Sequence, residues 1–151
     1  MITPAGLLEL ATNYESIYKA RVAAGFGVGT YDKERNDARR NMELAEFCAA
    51  EMERAGITNA KAFGPFQEFK LVRGDKVRLK AGAKVRSTHP KYRGVGYINP
   101  KTRTVEIFDT HEGYANPNAH HRDPSLRHPE IVWVGTGGYW FYADFNDIEV
   151  M

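Results

Sequence analysis

The chain has 151 residues, 42% of them hydrophobic and 26% charged, with a formal net charge of +2. That size and balance suit one compact domain, or a small domain with an appended helical element, with a core that needs neither disulfides nor metal. The single cysteine, Cys48, excludes an internal disulfide, and no run of residues reaches the roughly 18 apolar positions of a membrane span.

The opening Met1-Ile2-Thr3-Pro4 has neither a basic flank nor a long apolar run, so no secretory leader is expected. Together with the lone cysteine this fits a soluble, cytoplasmic protein. Thr3-Pro4 is a good helix start, because the threonine hydroxyl can cap and proline at the first helical position loses no needed hydrogen bond. Leu7, Ala11, Tyr14, Tyr18 and Val22 follow at three- and four-residue steps and mark one apolar stripe. The helix should stop near Ala24, before Gly25-Phe26-Gly27-Val28-Gly29. That glycine run reads as an interhelical turn: no strand precedes it, and the full dinucleotide or P-loop pattern is missing.

A second helix should start between Thr30 and Asp32, where Asp32, Glu34 and Asp37 suit the positive end of its dipole. Ala38, Met42, Ala45, Ala49 and Met52 form its apolar line, with Leu44 and Cys48 alongside, and Gly56 is its natural C-terminal cap. Cys48 reads as a small buried apolar thiol. Two helices joined by a short turn predict an antiparallel hairpin over residues 1–58. Residues 59–69 read as a linker, pinned to the C-terminal domain by Phe63, Phe66 and Phe69.

The pattern changes after residue 70. Lys76-Val77-Arg78-Leu79-Lys80 alternates charged and apolar residues, as a half-buried strand does. Further strands are expected at Lys84-Val85-Arg86, Val95–Ile98, Arg103–Phe108, Ile131–Val134, Gly138–Tyr142 and Asp147–Val150. A long polar loop rich in Asn, Pro and His spans about 109–130. Trp133 and Trp140 are both expected to be mostly buried. Tyr97 alternates with Val95, so either can face the core.

The charge is unevenly placed. Residues 70–103 carry eleven Lys or Arg against one acid, Asp75, a local balance of +10. Residues 104–151 carry a balance of −6. The basic block would attract phosphate or an acidic surface if it projects together into solvent. Acids of the tail lying beside it would quench it. Lys76, Arg78, Lys80, Lys84, Arg86, Lys91, Tyr92 and Arg93 are the candidate nucleic-acid contacts. Cations meet phosphates there, and the Tyr92 ring offers a stacking surface. No recognition helix rich in Arg and Asn is present, which argues against sequence-specific reading of a duplex.

Gly74-Asp75-Lys76-Val77-Arg78-Leu79, then Gly82, then Gly94-Val95-Gly96-Tyr97-Ile98, then Val105-Glu106-Ile107 resembles the opening of SH3-like small barrels, most closely KOW and Tudor-type members. Pro90-x-Tyr92 before Arg93–Ile98 also resembles, more faintly, the barrel of the nitrile hydratase beta subunit. The likeness covers about residues 70–150, and Asp147–Val150 fits the closing strand of such barrels. It implies an α+β protein: an N-terminal antiparallel helical hairpin followed by an SH3-like antiparallel β-barrel at 70–151. It also implies binding to nucleic acid or protein.

Catalytic and metal readings are weaker. His120, His121, His128 and Asp123 offer imidazole and carboxylate donors, but no cysteine lies near and the spacing fits no common zinc pattern. Asp109 and His111 with Ser87 or Ser125 lack a nucleophile elbow, and nothing places Glu112 beside Asp123. No cofactor is expected. The sequence therefore points to a non-catalytic protein that engages nucleic acid or a nucleoprotein through a basic barrel face. The small two-part layout suits a phage-encoded modulator or inhibitor of a host. The alternative is a protein–protein module that binds an acidic partner and uses the hairpin to dimerise or dock. A metal-dependent hydrolase built on the histidine loop ranks third.

Overall fold

A computed structural model describes residues 1–27, 29–68, 70–115, 117 and 126–151. The chain is an α+β protein with antiparallel sheets. Met1–Ala60 lies in one compact unit, and Lys61–Tyr114 with Leu126–Met151 makes the other. Among the described residues no helix is long and apolar enough to cross a membrane.

The first unit is a pair of helices, α1 (Pro4–Ala23) and α2 (Lys33–Arg54). Thr3 caps α1 by accepting from the Gly6 N–H at 3.0 Å, with Pro4 in the first turn. Asp32 caps α2 by accepting from the Arg35 N–H at 3.0 Å. At the end of α1 the Phe26 N–H bonds the Arg21 carbonyl and the Gly25 N–H bonds that of Val22, the Schellman pattern, with Gly25 at φ 101°. α2 ends in the same way, with Ile57 N–H on the Met52 carbonyl. The helices run antiparallel. Arg21 near the end of α1 meets Asp32 at the head of α2, while Ile2 before α1 pairs with Ala60 after α2.

The glycine turn between the helices is tied down. Arg21 donates two 3.0 Å bonds to the Asp32 carboxylate, and its guanidinium lies 4.1 Å from the centre of the Phe26 ring. Buried Arg35 donates to the carbonyls of Phe26 and Gly27. The bond from Arg21 holds the Asp32 carboxyl below its ordinary pKa against the opposing effect of burial, and raises the arginine's in turn. Ala38, Leu44, Ala45, Cys48, Ala49 and Met52 are buried on α2, and Leu7 and Ala11 on α1, while Val22 at the end of the stripe is exposed.

The second unit opens with a hairpin of β1 (Ala62–Phe63) and β2 (Phe66–Gln67), so the segment read as a linker carries structure. Ala62 and Phe63 are buried; Phe69 lies outside the described residues. Asn146 fixes the hairpin. Its side-chain oxygen accepts from the N–H groups of Lys61 and Ala62 at 2.8 and 3.1 Å, and its amide nitrogen donates to the Ala62 carbonyl at 2.9 Å.

Eight more strands complete this unit: β3 (Lys76–Leu79), β4 (Lys84–Ser87), β5 (Tyr97–Ile98), β6 (Arg103–Glu106), β7 (Asp109–His111), β8 (Glu130–Val134), β9 (Trp140–Asp144) and β10 (Ile148–Val150). They form two antiparallel sheets, ordered β10-β3-β6 and β5-β4-β9-β8-β7. One segment passes from sheet to sheet between β6 and β7. There Ile107 N–H bonds Asp75 of the first sheet's side at 2.8 Å, and Phe108 N–H bonds Val132 on β8 at 2.8 Å. A 3-10 turn, Phe145–Asp147, links β9 to β10.

The core draws on both sheets. Val77, Leu79, Val105 and Ile148 come from one, and Val85, Ile131, Trp133, Phe141 and Ala143 from the other. Burial of each large aliphatic or aromatic side chain here contributes about 1.5–3 kcal/mol. Asn99, only 2% exposed, is satisfied by donating to the Lys80 carbonyl at 2.8 Å, while its backbone pairs with Gly82 and Ala83. This fastens the β3–β4 turn to the start of the β5–β6 turn.

Besides the linker, two further expectations change. Trp133 is buried, but Trp140 is 44% exposed. The β8–β9 register pairs Trp133 with Phe141 and Val134 with Trp140, which sends the two indoles to opposite faces. The polar stretch also gives up its first three residues to strand β7. Tyr97 packs against the core, and Val95 is exposed.

Cys48 is fully buried and burial pushes its thiol up to about 12. A thiol reagent at pH 8 should leave the native protein unlabelled and react only on unfolding; prompt native labelling would contradict this packing. Asn146→Ala leaves two buried-side N–H groups and a carbonyl without partners. Denaturant unfolding should show a loss of about 1–3 kcal/mol.

Candidate nucleic-acid interface

Alternation in β3 turns Lys76 and Arg78 outward and Val77 and Leu79 into the core. Their neighbours are acids. Lys76 stands opposite Glu106 on β6, and Arg78 stands opposite Glu149 on β10. Directly opposed residues bring their Cβ atoms to about 4.5–5.5 Å. Lys80, half-buried, lies beside Lys61 and Asp147. Burial raises the Asp147 carboxyl, helped by Asp144, while Lys80 and Lys61 pull it back down. Burial is also the main cause lowering Lys61, whose ammonium donates to the Ile148 carbonyl. Carboxylates of the tail therefore share the rows of the β3 cations.

β4 projects Lys84 and Arg86 from the outer face of the five-stranded sheet. Arg86 Nη2 bonds both oxygens of Glu130, at 2.7 and 2.5 Å, and its guanidinium lies 5.2 Å from the centre of the Tyr142 ring. Among the described residues Lys84, Lys91 and Arg93 form no ion pair. All three are exposed and belong to a stretch, residues 76–105, that contains no acid.

The loop bearing Lys91 and Arg93 is built by its own backbone. Ser87 Oγ donates to the Trp140 carbonyl at 2.9 Å and accepts from His89 N–H at 3.0 Å. Lys91 N–H donates to His89 Nδ1 at 3.1 Å. Val95 and Gly96 N–H both bond the Tyr92 carbonyl, at 3.1 and 2.8 Å. Gly96 sits at φ 63°, and a Cβ there would meet the Val85 carbonyl oxygen at 2.5 Å, so only glycine lets the loop return this close to β4.

Half-buried Tyr92 joins an aromatic cluster. Its ring centre is 4.7 Å from Tyr97 and 5.5 Å from His89, and His89 is 4.7 Å from Tyr139. The Lys91 ammonium lies 5.5 Å from the Tyr92 ring centre. Burial raises the Tyr97 hydroxyl pKa, and the nearby Arg103 charge opposes it.

The sequence did not reveal the outer face of the five-stranded sheet as a site. One row reads Arg86, Tyr142, Val132, Asp109; the next places Trp140 beside Val134. Phe108 lies 5.9 Å from Trp140, and His111 lies 5.9 Å from Tyr142. Arg73 covers the Phe108 ring at 4.2 Å. A cleft of about 500 Å³ on this face is lined by Lys84, Arg86, Arg127, His128, Glu130, Tyr142 and Asp144. Only the one-residue phase difference between the tryptophans carries this face, and register cannot be read from one strand at a time.

His111 and Asp109 stand 3.9 Å apart, as do His128 and Asp144. The Ser87 hydroxyl is engaged by the Trp140 carbonyl. Among the described residues no group of three His, Cys, Asp or Glu side chains is placed to hold a metal ion. His120, His121, Asp123 and Ser125 lie outside the described residues. Comparison with protein-family models, with characterised proteins and with solved structures finds no match to this chain.

Glu130→Gln removes the charge that holds Arg86. The variant should elute from heparin at higher salt than the parent. Unchanged elution would mean that Arg86 does not face the polyanion.

Proposed function

We propose that this chain is a non-catalytic binding protein that engages nucleic acid or a nucleoprotein. The contact is the acid-free stretch 76–105, and within it Lys84, Lys91 and Arg93, beside the Tyr92–Tyr97 rings. The observation that carries the reading is that these three cations are exposed and in no ion pair among the described residues, with Lys91 and Arg93 in a loop that holds no acid, while Glu130 holds Arg86 and the β3 cations stand across from Glu106 and Glu149. Polyanion contact releases counterions, so a cation outside any ion pair contributes more than Arg86, which Glu130 holds. In this reading the second unit is an SH3-like barrel. The strand order supports it: β10-β3-β6 continues through β7 into β8 and β9, and a 3-10 turn precedes the closing strand. The helical pair serves as a docking element, in the manner of a small cytoplasmic modulator or inhibitor.

Titrating a labelled single-stranded oligonucleotide across salt concentrations tests this. Three contacts at about 0.7 each give a log–log slope near −2. Reversing all three cations to Glu should weaken binding at least tenfold, with the melting curve unchanged because none of them is buried. Salt-independent binding, or a charge-reversed variant that binds as the parent does, would overturn the proposal. Capture of an acidic protein that survives nuclease would replace it with the protein-binding alternative.

A further inference from the structure

We infer that the outer face of the five-stranded sheet is a platform for single-stranded RNA, with a base stacking on Trp140 beside the Arg86-covered ring of Tyr142. This rests on the nucleic-acid reading above and adds the ligand's form and a second set of residues. Trp140 and Tyr142 are two positions apart on β9, so both project from one face about 6.7 Å apart along the strand. Trp140 is 44% exposed, and neighbouring Val134 is 45% exposed, which leaves the indole open to a planar partner. Aromatic rings on an open sheet accept unstacked bases, whereas a duplex keeps its bases inside the helix.

Fixed cations accompany the rings. Arg86 lies over Tyr142 and Arg73 over Phe108, and Lys84 and Arg127 line the adjoining cleft. These guanidiniums already occupy the sites that an incoming arginine or lysine peptide would need, so a cationic peptide meets repulsion. The face also carries Asp109, Glu130 and Asp144. Glu130 is held by Arg86 and Asp144 by Asn146, which leaves Lys84 and Arg127 as the cations of the cleft without an ion pair among the described residues. A carboxylate is an acceptor only, and exposed Asp109 suits donors: the ribose 2′-hydroxyl and the exocyclic amines of bases. DNA lacks the first of these donors, so Asp109 favours RNA.

The experiment uses the full chain carrying Trp133→Phe. This leaves Trp140 as its only indole, with the core aromatic replaced by another. Emission is followed during titration with oligo(U), oligo(dU) of equal length, duplex RNA, and heparin. Oligo(U) should quench Trp140 by at least half and bind more tightly than oligo(dU) and duplex. In a second variant, Trp140→Ala, followed by anisotropy of labelled oligo(U), affinity should fall about tenfold, while heparin binding is unchanged. Heparin binding without quenching by oligo(U) overturns the platform and leaves the polyanion reading standing. Equal binding of oligo(U) and oligo(dU) overturns the assignment to RNA. Quenching by an arginine-rich peptide but not by oligo(U) overturns it in favour of a protein ligand. Failure of both heparin and oligo(U) to bind removes the platform and the polyanion reading together.

Discussion

The pairing of β8 with β9 is the constraint on which the described surface depends. With Trp133 opposite Phe141 and Val134 opposite Trp140, the two strands deliver Ile131, Trp133, Phe141 and Ala143 to the core. The same register places Tyr142, Trp140 and Glu130 outside. A slip by one residue would exchange those sets, burying carboxylate and exposing core. The register is therefore held by the hydrophobic effect, and the outer chemistry is its consequence. Arg86 meets Glu130 across β9 only because Arg86 and Tyr142 share a row.

Charge on this fold is sorted by distance in space. The sequence places cations in the middle and acids at the end. Folding returns the last strand to β3, so Glu149 comes to lie beside Arg78, and β6 brings Glu106 to Lys76. β8 brings Glu130 to Arg86. The loop after β4 has no acidic strand beside it, and it keeps Lys91 and Arg93 in solvent. The exposed Arg86–Glu130 pair is of a weak kind, about 0–1 kcal/mol, so the placing of acids beside these cations acts on the surface field and contributes little to stability.

Local features were legible in the sequence. Thr3, Pro4 and Gly56 act within a few residues of themselves, and the structure shows each in its expected role at a helix end, while Asp32, expected to suit the dipole of α2, also caps it. The alternation of Lys76–Leu79 gave both the strand and its inward residues. Non-local features were hidden. The Ala62–Gln67 hairpin is stabilised by Asn146, more than 80 positions away, and in its own sequence only the Gly64-Pro65 turn marks it. β7 is a three-residue polar edge strand whose partner begins at Glu130. The exposure of Trp140, and the acids beside the β3 cations, needed cross-strand register. The candidate residues were thus identifiable by type, while their division into matched and unmatched charges was not.

Chemical-shift mapping on labelled protein during titration with a polyanion tests the central claim most directly, because it reads position and not only affinity. Shifts are expected at Lys84, at residues 91–97 and along Trp140–Tyr142, with Lys76 and Arg78 undisturbed. Shifts centred on Lys76 and Arg78, or spread evenly over every cation, would contradict it.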